Sequence, residues 1–143
     1  MEDRETKVWQ RVFAGPGGQG PMELRPLIRW AAESAAVYRG LMTGGKHREL
    51  LRKLYEEELA NLACLRGMAI LSGGAQETPG KLSIGREPAE KALEKCYHRT
   101  RRAMVEYTAR SAEPEYGAVF RTLADRAQEQ CALIAQLIGT LGR

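Results

Sequence analysis

The chain has few of the residues that catalysis and cross-linking draw on. Only three cysteines occur, Cys64, Cys96 and Cys131, widely scattered. That is too few for a disulfide framework, and no two have the close spacing of a CxxC metal site. The only histidines are His47 and His98. No apolar run approaches the roughly 20 residues of a membrane span. The N-terminal stretch, MEDRETKVWQRVF, is charged and lacks the apolar core of a secretion signal, so a cytoplasmic location is expected. No stretch alternates apolar and polar residues with period two, so strands are not expected. The glycine-rich GPGGQG lacks the lysine and preceding strand of a phosphate loop and reads as a linker.

What is present is helical. The 143 residues suffice for one domain with a sizeable core, and 43% are hydrophobic and 28% charged, ordinary for a globular chain. The net charge of +4 is too mild to indicate a nucleic-acid or membrane partner. Residues 4–13 place Val8, Trp9, Val12 and Phe13 on one edge, a short helix, and residues 14–21 form a flexible linker. The spacing predicts a first long helix over residues 22–42, with Leu24, Leu27, Ile28, Ala31, Ala35, Tyr38 and Leu41 inward. Thr43, Gly44 and Gly45 end it, glycine being free to take a left-handed cap.

A second helix is expected over residues 46–72. Its stripe is Leu51, Leu54, Glu58, Asn61, Leu65 and Met68, so a carboxylate and an amide sit in the middle of an apolar face. Such groups cost free energy unless each finds a hydrogen-bond partner. A long loop follows, reaching residue 87. Pro88 suits the first position of a third helix ending near residue 111, with Ala89, Leu93, Cys96, Thr100, Ala103 and Tyr107 inward. Pro114 is expected to begin a fourth helix reaching residue 141, with Phe120, Leu123, Ala127, Gln130, Ile134 and Leu137 inward. The three cysteines are assigned to core packing. The two hairpins superpose in sequence without a gap: Ala31 falls on Thr100, Tyr38 on Tyr107, Leu54 on Leu123, Glu58 on Ala127 and Asn61 on Gln130. The expected architecture is all-α: residues 22–143 form a four-helix bundle of two antiparallel hairpins joined by a long crossover, and residues 1–21 lie outside it.

This pattern resembles the ferritin-like superfamily, and its rubrerythrin-like members most. In that family each hairpin carries a Glu seven residues before a Tyr, then Glu-x-x-His on the next helix, and these ligands hold two iron or manganese ions. EEELANLACLRGMAILSGG is similar to the family's metal helix with its glycine stop, and the stretch from Tyr107 to Gly117 is similar to its second inter-helix turn. The ligands themselves are replaced. Ala31 and Thr100 stand seven residues before Tyr38 and Tyr107, Asn61 stands in place of one His, and Ala127 and Gln130 replace the last Glu-x-x-His; only Glu58 remains. Glu33 and Glu129 are two residues off the stripe, rotated by about 200°, and cannot substitute.

The resemblance therefore implies the fold with the metal centre lost, and neither cofactor nor catalytic residues are expected. Tyr38, Glu58, Asn61, Thr100, Tyr107 and Gln130 would form a hydrogen-bonded core cluster, with burial raising the pKa of Glu58. The chain would act as a structural or interaction module and self-associate, a dimer being the simplest assembly. Two alternatives stay open. One is a metal-binding oxidoreductase or iron-storage type with an atypical site at Glu58, Asn61, Thr100 and Gln130. The other is a nucleic-acid-binding bundle using Lys91, Lys95, His98, Arg99, Arg101, Arg102 and Arg110. Glu90, Glu94 and Glu106 are interleaved there, which reads instead as a solvated, salt-bridged face.

Overall fold

A computed structural model describes residues 23–73 and 87–141. The expected N-terminal helix (residues 4–13), its linker (14–21) and most of the long loop lie outside these residues. Four helices and no strand occur among the described residues: α1 (Arg25–Met42), α2 (Arg48–Leu71), α3 (Ala89–Arg110) and α4 (Gly117–Leu141). They form an all-α bundle, and none is long and apolar enough to cross a membrane.

The helix ends differ from the sequence expectation in ways that local chemistry explains. Pro26 lies in the first turn of α1, where a missing N–H costs nothing, and the helix starts at Arg25. Gly45 takes φ 82° and His47 takes φ 55°, so two left-handed residues delay α2 until Arg48. His47 is half-buried and His98 is exposed. Pro88 has extended backbone (ψ 146°) and precedes α3 rather than opening it. Pro114 lies in a turn, held by the Tyr116 backbone N–H donating to the Glu113 carboxylate, and α4 begins only at Gly117. Gly73, at φ 85°, closes α2.

Helix α1 packs mainly on α2 and α3 mainly on α4. The two pairs meet through α1 against α3 and, less extensively, α2 against α4. The core falls into two apolar clusters. One holds Leu27, Ile28 and Ala31 of α1 with Leu65 and Met68 of α2, Tyr107 of α3 and Phe120 and Leu123 of α4. The other holds Tyr38 of α1, Leu51 and Leu54 of α2, Leu93 and Cys96 of α3, and Ile134 and Leu137 of α4. Early residues of α1 and α4 thus share an end with late residues of α2 and α3. It follows that α2 and α3 point the same way, with α1 and α4 opposed to them. All expected stripe residues from Leu24 to Tyr38 and from Leu51 to Met68 are buried, as are those from Leu93 to Tyr107 and from Phe120 to Leu137. Leu41 and Ala89, at the helix ends, are half-buried.

Candidate functional site

Between the two apolar clusters lies a buried polar layer. Each helix contributes to it where its stripe crosses the middle of the bundle: Ser34 from α1, Glu58 and Asn61 from α2, Thr100 from α3 and Gln130 from α4. Helical spacing makes this inevitable once the stripes are set, because Ser34 lies one turn from both Ala31 and Tyr38. The layer surrounds a cavity of about 10 Å³, lined also by Ala31, Ala103, Tyr107, Ala127, Trp30 and Arg99. That is the space of one water at most.

Glu58 is 5% exposed and Asn61 1%. One turn apart on α2, they are joined by a hydrogen bond: Asn61 Nδ2 donates to Glu58 Oε1 at 2.5 Å. Arg126 of α4 donates from Nη1 to Asn61 Oδ1 at 2.8 Å. The amide is therefore polarised, with its nitrogen facing a carboxylate and its oxygen a guanidinium. Thr100 donates its hydroxyl to the Cys96 carbonyl at 2.8 Å, which leaves only its lone pairs for the centre. Gln130 lies close enough to Glu58 to favour the charged carboxylate, yet its Nε2 makes no hydrogen bond of good geometry. Tyr38 Oη, fully buried beside Thr100 and Cys96, is likewise without a hydrogen bond among the described residues.

Burial dominates the electrostatics. Desolvation pushes the Glu58 carboxyl up to about 7, against the amides of Asn61 and Gln130 and the charge of Arg99, all of which favour ionisation. Burial likewise raises both tyrosines, Tyr38 and Tyr107, and the thiols of Cys96 and Cys131. Each of these groups is thereby pushed towards its protonated form.

The six residues expected to form the polar cluster are all buried, and five of them, Glu58, Asn61, Thr100, Tyr107 and Gln130, line the cavity. Tyr38 sits at its edge in the neighbouring apolar cluster. Two expectations need correction. Cys64 is exposed rather than packed in the core, because it falls on the outer face of α2. Arg99 does not belong to a solvated face. It turns into the α1–α3 seam, where its Nε donates to Ser34 Oγ at 3.1 Å and its Nη1 lies 3.7 Å from Glu33 Oε2. Two cations thus reach the centre: Arg99 acts on Glu58 and Arg126 holds Asn61. Spacing could have found Ser34. Nothing in the pattern marks Arg99 or Arg126, whose long side chains reach inward from positions beside the stripe.

Part of the rest of the basic face of α3 is engaged as well. Arg102 stacks 4.8 Å from the Trp30 ring centroid, Arg110 pairs with Glu106 at 2.5 Å, and Lys95 pairs with Glu87.

The layer does not fit a di-metal centre. Its one carboxylate shares a hydrogen bond with an amide nitrogen, and the oxygen of that amide, the atom that would ligate a cation, already accepts from a guanidinium. Among the described residues no three His, Cys, Asp or Glu side chains gather closely enough to hold a metal ion. Comparison with known proteins finds no matching family model, no matching curated protein and no matching solved structure.

Proposed function

We propose that this chain is a ferritin-like bundle, of the rubrerythrin-like kind, in which a hydrogen-bonded polar layer replaces the di-metal centre, and that it works as a structural or interaction module rather than as an oxidoreductase. One observation carries the reading. Ala31, Glu58, Asn61, Thr100, Ala127 and Gln130, the six positions that the sequence resemblance assigns to metal ligands, all line the same small cavity. Convergence of these six positions on one level is what the resemblance requires, and it supports the reading. The parallel course of α2 and α3 also supports it. An interaction role is supported by Ile70, Leu71 and Val105, large apolar side chains more than half exposed on helix surfaces.

The alternative, an oxidoreductase or storage protein built on Glu58, is separated by metal analysis. Protein produced in iron- and manganese-supplemented medium should carry substoichiometric metal. Its melting temperature should be unmoved by iron(II), manganese(II) or chelator. Stoichiometric metal per chain, with a melting temperature that rises on loading, would overturn the reading, because a ligand that binds only the folded state stabilises it.

A further inference from the structure

On the outside of the bundle, where the α1–α2 hairpin turns, lies a concavity of about 490 Å³, within the range of small-molecule sites. Three guanidinium groups rim it: Arg39 of α1, and Arg48 and Arg52 of α2. Arg39 has a structural reason to be there, since a cation in the last turn of a helix suits its negative end. The other two stand one turn apart near the positive end of α2. Arg48 occupies the first position of α2, where the helix is positive, and Arg52 follows it at the (i, i+4) spacing at which like charges repel. Glu56, one turn further on, lines the same hollow but forms no ion pair with Arg52 among the described residues. Most other arginines of the bundle are engaged, Arg99, Arg102, Arg110 and Arg126 among them. Glu49 and Glu56 stand at helical spacings from Arg52, yet neither pairs with it among the described residues, so the charge of the three arginines is left for a ligand to balance. Beside the arginines, half-buried Tyr55 and Met42 and the exposed Leu59 make an apolar floor.

We propose that this concavity binds a compact polyphosphate group carried on an apolar or planar body, the phosphates meeting Arg39, Arg48 and Arg52 and the body lying against Tyr55. Arginine forks match phosphate oxygens in geometry as well as charge. The site is independent of the polar layer and of what that layer does.

Calorimetric titration with sodium triphosphate and with ATP tests it. Both should bind with one-to-one stoichiometry, ATP more tightly. R48Q and R52Q should each weaken both ligands by about tenfold, the scale of one charge-assisted hydrogen bond. Y55A should bring ATP down to the affinity of triphosphate. R48Q should also melt no lower than the parent, because a repulsion has been removed. Absence of saturable binding would overturn the proposal, as would equal weakening by R101Q on the exposed face of α3, which would reduce it to diffuse charge. ATP binding no tighter than triphosphate would overturn the apolar body. A DNA duplex binding more tightly than ATP, weakened alike by R48Q and R101Q, would replace the site with non-specific nucleic-acid binding.

Discussion

Asn61 turns its amide nitrogen to Glu58 and gives its oxygen to Arg126, 2.8 Å away, so one buried side chain couples an acid on α2 to a cation on α4. Removing the cation leaves a buried carbonyl without a donor. R126A should therefore lose about 1–3 kcal/mol, the cost of an unsatisfied buried polar group. The loss should be larger at pH 8 than at pH 5. Below the Glu58 pKa the protonated acid can donate to the freed oxygen once the amide reverses; above it the amide nitrogen must stay on the carboxylate, and the oxygen is left unpaired. Chemical denaturation at the two pH values measures both quantities.

Glu58 itself makes stability depend on pH. Its carboxyl rises from 4.5 to about 7 on folding, mainly by desolvation. A raised carboxyl pKa means that the unfolded chain ionises first. The contribution is therefore intact below pH 4.5, is lost progressively as pH climbs to 7, and stays lost above it. The full loss is about 3 kcal/mol. E58Q carries no such penalty and keeps an acceptor for Asn61. The stability difference between variant and parent should open between pH 4.5 and 7 and favour the variant at pH 8. A pH-independent difference, or a variant less stable at pH 8, would mean that an ionised carboxylate is required in the layer.

Two glycines should respond in opposite directions to alanine. A methyl group at Gly67, inside α2, would meet nothing within 4 Å. G67A should stabilise by about 1 kcal/mol through helix propensity alone. At Gly117 the added carbon would lie 2.5 Å from the Ser111 carbonyl oxygen, backbone that also accepts from Arg121 at 2.9 Å. G117A should cost about 1–3 kcal/mol despite the better propensity of alanine, because the close turn from α3 into α4 must open. Thermal melts of the two variants give the signs.

The contrast between Glu58 and Arg99 shows what sequence spacing can reveal. Glu58, Asn61, Thr100 and Gln130 were legible because their Cβ atoms sit on apolar stripes, and a stripe position fixes the side the group faces. Tyr38 and Tyr107 followed from the same geometry. Arg99 and Arg126 lie one residue off the stripe, where a short side chain would point to the rim. Their long stems let the charged ends reach the seam, a choice made by neighbours on other helices. The helix starts were misplaced for a similar reason. Left-handed His47 and the Glu113–Tyr116 turn are settled by local hydrogen bonding and backbone geometry, not by hydrophobic period.

The measurement that bears most directly on the centre is the carboxyl carbon resonance of Glu58, titrated by NMR with and without manganese(II). A metal-free polar layer predicts a midpoint near 7, shifted further up in R99Q because Arg99 favours the ionised form, and a signal that manganese leaves sharp. A midpoint in the ordinary carboxylate range, or selective broadening of that one resonance at low manganese, would contradict it.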